Sequence, residues 1–291
     1  MKSAAFDYVR PASVAEACEI LRSDEDARLI AGGQTLVPMM AMRLARPSRL
    51  VDISRLPELA GVVDETDAVA VGAATRQLEM ERHPFTRTKL PLLAAALPWV
   101  GHRPTRSRGT VGGSVANADP AAEIPLVLAT LGGEVEFMTA DGPGKQRAAD
   151  FFAGPMMTNL PAGAVLTRIR FPVWAGKVGV GFHEVSARRS DFAYVSACAQ
   201  VSFDVSGVCI ACVTGIGGAV PSPTRLEEVG LRLAGTRVTD ADIGEALDKA
   251  IPALEIMTDH YATTDYRRRV ARELAARALR DARERALGGA A

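Results

Sequence analysis

The chain has no G-x-G-x-x-G after a strand and no G-x-x-x-x-G-K-S/T, so the Rossmann and P-loop routes to phosphate binding are both absent. It has no charge excess. Lys plus Arg and Asp plus Glu are both 34, which excludes the basic surplus of a nucleic-acid binder. It has no apolar run of membrane-spanning length, and its start, Met1 to Tyr8, has no signal-peptide core. A cytoplasmic protein without a membrane span is expected. Histidine is scarce: His83, His102, His183 and His260 lie in no G-x-S-x-G or H-E-x-x-H context. His183-Glu184 has no second histidine at zinc spacing, and no carboxylate pair reads as a glycosidase acid and base. No catalytic residue and no metal site is therefore assigned.

Cysteine is also sparse, and none of the four is spaced as in a ferredoxin. Cys209 and Cys212 form a C-x-x-C within Gly207–Thr214, a β-branched stretch that reads as a strand. On a regular strand residues three apart point to opposite faces, so these sulfurs should diverge. With Cys18 and Cys198 they are expected to be packed, reduced thiols.

What the chain does have is two glycine pairs, each after an apolar or extended segment: Ala31-Gly32-Gly33-Gln34-Thr35-Leu36 and Thr110-Val111-Gly112-Gly113-Ser114. A glycine pair can take positive φ and turn several N–H groups toward one point, making a nest for an anion. Two such nests face to face would grip a pyrophosphate, the mark of a dinucleotide. The alternative is that both pairs simply make turns. After the second pair, Asn117, Asp119 and Glu123 offer polar atoms to a ribityl or ribose chain. A helix expected from Ala121 to Leu131 would point its positive end at the same place.

At 291 residues, 48% apolar and 23% charged, the chain suits a soluble protein of two domains. Helices are expected at Ala15–Leu21, capped by Ser13, and at Met39–Leu44, Gln77–Arg82 and Leu92–Val100. Strands are expected at Ala27–Ala31, Arg49–Ile53, Ala68–Ala73, Glu134–Met138 and Ala164–Phe171. Gly101–Arg108 reads as a polar loop, and Gly132-Gly133 as a helix stop. A boundary is expected at Pro172–Lys177. Beyond it come strands at Val180–Ala187, Ala193–Phe203 and Val208–Gly215, then helices at Arg225–Leu233, Asp240–Ile251 and Asp265–Leu287. Strands first and helices after describe an antiparallel sheet backed by helices. The last helix carries eight arginines between Arg267 and Arg285. They read either as a docking face for an acidic partner or, preferred here, as the solvated side of an amphipathic helix.

Ala31–Pro38, with Arg43–Pro47 and Leu50–Ile53, resembles the first flavin loop of the molybdenum hydroxylase medium subunits. Arg106–Glu123 resembles the second. Ala187-Arg188-Arg189-Ser190-Asp191-Phe192-Ala193 and Asp265-Tyr266-Arg267-Arg268 look like later signatures of the same family, which includes carbon monoxide, quinoline and nicotine dehydrogenases and the flavin domain of xanthine dehydrogenase. The resemblance covers nearly the whole chain.

It implies an α+β fold: a two-subdomain FAD-binding domain of the vanillyl-alcohol oxidase-like (PCMH) type over residues 1–174, then an α+β domain of antiparallel sheet plus helices over 178–291. It implies FAD on this chain, with molybdopterin on a large subunit that hydroxylates a small, N-heteroaromatic substrate. A small subunit with [2Fe-2S] clusters would relay electrons to the FAD, which passes them to an external acceptor, the whole being a dimer of heterotrimers. Residues Gly32 to Leu36 and Thr110 to Ser114 would wrap the pyrophosphate, Ala31 opening the first loop. Glu123 falls at an acidic FAD contact and Leu166 at an apolar one. Tyr194 is either a residue approaching the isoalloxazine or an ordinary strand aromatic. Arg188, Arg189 and Asp191 either tune the flavin or join domains by ion pairs. Two departures matter. Glu184 stands where xanthine dehydrogenases carry lysine, which puts an NAD-reducing site of that type in doubt, and the cysteines cannot hold an extra [4Fe-4S] cluster.

Two other readings remain open. One is a self-sufficient FAD-dependent oxidoreductase acting on its own small substrate. The other is an assembly protein that keeps the fold without FAD, which the intact glycine pairs disfavour.

Overall fold

The computed structural model describes residues 2–288; Met1 and residues 289–291, which the two expected domain ranges include, lie outside the described residues. The first subdomain sets strands β1 (Asp7–Val9), β2 (Arg28–Ile30) and β3 (Arg49–Asp52) in a parallel sheet ordered β1-β3-β2. Helix α1 (Val14–Ser23) covers it, and Ser13 Oγ accepts from the Glu16 amide at 3.1 Å as an N-cap does. Helix α2 (Leu36–Ala41) starts three residues before the expected Met39. Pro38 lies in its first turn, where a missing N–H breaks nothing, and Arg43 (φ 61°) stops it.

The second subdomain is built on an antiparallel five-stranded sheet, β4 (Val62–Asp64), β5 (Ala68–Gly72), β6 (Glu134–Thr139), β7 (Gly142–Arg147) and, after the short α9 (Ala148–Phe151) and the β8–β9 hairpin (Phe152–Gly154, Met157–Thr158), β10 (Val165–Pro172). Its order is β4-β5-β10-β6-β7. Between β5 and β6 the chain runs through α3 (Gln77–Arg82), α4 (Pro84–Thr88), α5 (Pro91–Ala96), α6 (Arg103–Arg108), α7 (Val111–Asn117) and α8 (Glu123–Leu131). Strands β1, β4 and β7 and helix α4 escaped the sequence reading, because three-residue edge strands and the glycine- and lysine-bearing β7 carry no apolar alternation. The expected polar loop Gly101–Arg108 is helical over its last six residues. Pro104 suits the helix start, and Arg106 ties the turn down by donating to the Val100 and Gly101 carbonyls at 3.0 and 2.8 Å.

Beyond Val173–Lys177 an antiparallel sheet runs β11 (Val178–Ser186), β12 (Ala193–Phe203), β13 (Cys209–Gly217) and β14 (Thr224–Arg225), followed by α10 (Glu227–Leu233), α11 (Asp240–Ala250) and α12 (Thr264–Leu287). This sheet is buried on both faces. Val180, Phe182, Cys198 and Val213 join the core formed by α5, α7, α8 and the five-stranded sheet. Val195, Ala197, Ala199, Val201 and Cys212 join a second core with α10, α11 and α12. Double burial is why β12 reads as a near-continuous apolar run. A register shift between Ser202 and Phe203, opposite Ala211 and Cys209, overturns the expected divergence of Cys209 and Cys212. The bulge resets the alternation, and both thiols enter the second core, unbonded like Cys18 and Cys198. Burial raises their thiols to about 11 for Cys209 and about 12 for Cys198 and Cys212.

Most α12 arginines stitch the domain together: Arg272 pairs with Asp248 at 2.7 Å, Arg283 with Asp240 at 2.9 Å, and Arg285 donates to the Val180 carbonyl at 2.7 Å. Arg267 departs from the expected solvated face, being buried against Asp259 at 2.7 Å. Alanines of α12 lie directly on β11, where a Cβ at Gly179 or Gly181 would overlap the carbonyls of Ala282 and Ala278. Gly181→Val is expected to lower stability by about 3 kcal/mol, read as the urea midpoint. An unchanged midpoint would show that this contact does not seat α12. Among the described residues, no helix is long and apolar enough to cross a membrane.

Candidate functional site

The two glycine segments meet. Leaving β5, Ala73–Gln77 pairs with Gly109–Gly112: the Gln77 amide donates to the Gly109 carbonyl at 2.9 Å, Val111 to Thr75 at 3.0 Å, and Gly112 to Ala73 at 2.9 Å. The first loop lies against this zip. A Cβ on Gly32 would stand 2.5 Å from the Arg108 carbonyl oxygen and 2.8 Å from Gly109 Cα, so only glycine fits. Gly33 follows with φ +69°. Among the described residues, the amides of Gly33, Gln34 and Thr35 find no acceptor, which leaves a nest of N–H groups on the cleft.

The second pair works otherwise than expected. Gly112 and Gly113 lie inside α7 and take no positive φ. Gly112 is small so that α7 can press on Ala73, where a Cβ would come within 2.5 Å. The amides of Val111 and Gly112 are already bonded, and Gly113 donates to the capping Thr110 hydroxyl at 3.0 Å. The segment thus presents one face of a helix start, and the free amides come from the first loop.

Together these elements wall a cleft of about 370 Å³. It brings together ten of the sixteen residues singled out from the sequence: Gly32, Gly33, Gln34, Thr35, Thr110, Gly113, Ser114, Asn117, Asp119 and Glu123. Ala31, Leu36, Val111 and Gly112 shape the loops without lining it. Leu166 does not reach it; as an inward residue of β10 it is buried in the core opposite Phe137. Tyr194 does not line it either, since β12 carries its ring into a neighbouring pocket. The sequence reading missed Gln77, the Val100–His102 turn, Thr105 and Phe192, which also line the cleft. Phe192 carried the one usable signal, an aromatic in a polar Arg-Arg-Ser-Asp loop, and it is 77% exposed. In that loop Arg188 pairs with its neighbour Asp191 at 3.0 Å, a local contact.

Polarity is graded along the cleft. Its lining holds no lysine or arginine, so at this end the groups offered to an anion are backbone N–H donors. The other end is acidic. Helix α8 begins at Glu123, two residues after the expected Ala121, because the Asp119 carboxylate accepts the Ala121 amide at 2.9 Å and holds a turn there. Burial pushes Glu123 up to about 7 and Asp119 upward. Behind them stands Glu184 on β11, opposite Ser196. Both its carboxyl oxygens are buried without a partner among the described residues, and burial, reinforced by Glu123, pushes it up to about 8. Protonated acids of this kind can donate as well as accept hydrogen bonds. A larger hollow of about 650 Å³ by α1 offers no such nest: there Val14 donates to Glu58 at 2.9 Å and Glu16 to Ser13. His183 lies apart, 3.1 Å from Asp281. Among the described residues no cluster of His, Cys, Asp or Glu could hold a metal.

Residues 4–174 match the family described as the FAD binding domain in molybdopterin dehydrogenase, and residues 181–282 match the CO dehydrogenase flavoprotein C-terminal domain. The chain is 34% identical to the nicotine 6-hydroxylase medium subunit of Paenarthrobacter nicotinovorans, over 97% of this chain and 99% of that protein. It is 32% identical to the carbon monoxide dehydrogenase medium chain of Afipia carboxidovorans, over 97% and 98%. Among solved structures, a chain of quinoline 2-oxidoreductase from Pseudomonas putida 86 superposes with a TM-score of 0.92 at 34% identity, covering 99% of each.

Proposed function

The chain belongs to the FAD-binding medium subunits of the molybdopterin dehydrogenases, an oxidoreductase family with FAD as its cofactor, and from that premise we propose that it is the electron-transfer subunit of a heteromeric molybdenum hydroxylase. A small subunit with [2Fe-2S] clusters delivers electrons, and a molybdopterin-bearing large subunit hydroxylates the substrate, in a dimer of heterotrimers. Nicotine and quinoline, named for two relatives, favour a nitrogen heteroaromatic as that substrate. Residues 1–174 and 178–291 act as the FAD-binding and C-terminal domains. The setting is the cytoplasm, where four unbonded thiols are stable.

The observation that carries this reading is the closure of Gly32 onto Arg108–Gly109 beside the unpaired amides of Gly33, Gln34 and Thr35. That cradle fits the pyrophosphate of FAD. Ser114, Asn117 and Asp119 stand where they would bind the hydroxyl-rich chain beyond it. Bound FAD would supply one- and two-electron redox chemistry, to which this chain would contribute position and electrostatics. Glu123, at the acid end, holds a proton near neutral pH.

The test is purification of the tagged chain from its native host with flavin, molybdenum and iron quantified together. FAD with both metals and two further subunits is the expected result. FAD alone, with turnover of a small substrate by this chain, would establish the self-sufficient flavoenzyme instead.

A further inference from the structure

Strands β11, β12 and β13 set Glu184, Ser196 and Gly217 side by side in one cross-strand row. Residues in such a row share a face of the sheet. Here it is the face packed against α8. A Cβ on Gly217 would lie 2.7 Å from Ser196 Oγ and 3.3 Å from the Pro120 carbonyl oxygen, just before that helix. Asp119, one residue back, and Glu123, the first residue of α8, both line the cleft. The row therefore backs onto the acid end of the cleft without entering its lining.

This backing is polar and unpaired. Ser196 is fully buried, and its Oγ, like both carboxyl oxygens of Glu184, has no partner among the described residues. The groups packed around Glu184 bring it no counter-charge. Helix α5, which lies on β11, is Pro91–Ala96 and has no titratable side chain. One pair along the same face, the Cys198 thiol donates to Thr130 Oγ1 at 3.3 Å. Tyr194, two residues before Ser196, lines the neighbouring pocket. Helix α12 meets His183 instead, through Asp281 at 3.1 Å. Arg106 of α6 acts on Glu123, but its guanidinium is tied to Glu81 at 2.9 Å and to the Val100 and Gly101 carbonyls. Burial, reinforced by Glu123, thus keeps Glu184 a neutral acid up to about 8. Negative charge added to the cleft would deepen that repulsion and favour the protonated pair further.

We propose that Glu184, acting with Glu123, takes up the proton that balances the charge of a reduced flavin. The proposal rests on FAD occupying the cleft. Two electrons from the [2Fe-2S] clusters and one proton convert FAD to FADH−. A second proton, from water, joins a carboxylate of the pair to make its acid, so the site gains no net charge.

The experiment follows the flavin midpoint potential of the purified holoprotein against pH by spectroelectrochemistry, because the slope counts protons taken up on reduction. Between pH 8 and 9, where oxidised protein has begun to ionise Glu184, the natural chain is expected to take up about one proton more per flavin than Glu184→Gln. Below pH 6 the two slopes should coincide, since the carboxyl is then protonated in both redox states. Infrared difference spectra in the same cell at pH 9 are expected to show a protonated carboxyl C=O band gained on reduction and absent from Glu184→Gln. Equal slopes at every pH, or no gain of that band by the natural chain, overturns the proposal while leaving the FAD assignment intact. A purified protein without FAD would defeat the functional reading, and this proposal with it.

Discussion

Gly32→Ala is expected to yield a protein that folds but has lost its flavin. The added methyl would lie 2.5 Å from the Arg108 carbonyl oxygen and 2.8 Å from Gly109 Cα, and both are backbone atoms that cannot rotate aside. The Arg108–Gly109 segment is held in turn by the Arg76 guanidinium on the Arg108 carbonyl and by the Gln77 amide on Gly109. The first loop must therefore retreat and take its free amides with it. Overpacking of about 1–3 kcal/mol corresponds to a loss of FAD affinity of about fivefold to 150-fold. Equilibrium dialysis against FAD measures it, with circular dichroism as the check on folding. Retention of FAD at wild-type affinity would refute the assignment of the cleft. Gly113→Val is expected to lose flavin too, by a local route: its Cβ would meet the Thr110 hydroxyl at 2.7 Å, disturbing the cap of α7 and filling the cleft.

The second large effect is a dependence of stability on pH. Glu184 and Glu123 have folded-state values of about 8 and about 7 against 4.5 for the unfolded chain. Between those limits the folded state binds more protons than the unfolded one, so stability falls as the pH rises from 4.5 through 8. Glu184→Gln mimics the protonated acid permanently. The variant is expected to exceed the natural chain in stability at pH 9, by on the order of 2 kcal/mol, with the difference vanishing as the pH falls toward 4.5. Melting temperatures across this range decide it. A difference independent of pH would mean that Glu184 is ionised in the fold.

Much of the architecture could be read from residues alone because its signals are local. Ser13 caps α1 through an atom three residues away, Gly132 ends α8 in the left-handed region, and α11 opens with a Thr239–Asp242 capping box. The antiparallel sheet beyond residue 177 announced itself by β-branched runs with short connections. The glycine pairs are visible too, but their composition leaves a pyrophosphate cradle and ordinary turns equally open.

What the tertiary structure decided is everything that depends on what comes to lie opposite. A glycine pair has one appearance whether it supplies positive φ or close approach. Gly33 does the first, while Gly112 does the second because Ala73 stands against α7. Strand β10 breaks its alternation at Thr167, and only that register shift against β6 puts Leu166 in the same core as Ile169 and Phe171 rather than on the face of Arg168 and Arg170. The bulge at Cys209–Ala211 arises from pairing with β12, not from the C-x-x-C itself. Composition and short-range pattern thus determined most of the longer elements and the family resemblance, and the resemblance in turn implied the ligand. The surroundings of Gly32, Glu184 and Arg267 were decided by packing between segments far apart in the chain, whose contacts leave no periodicity in the sequence.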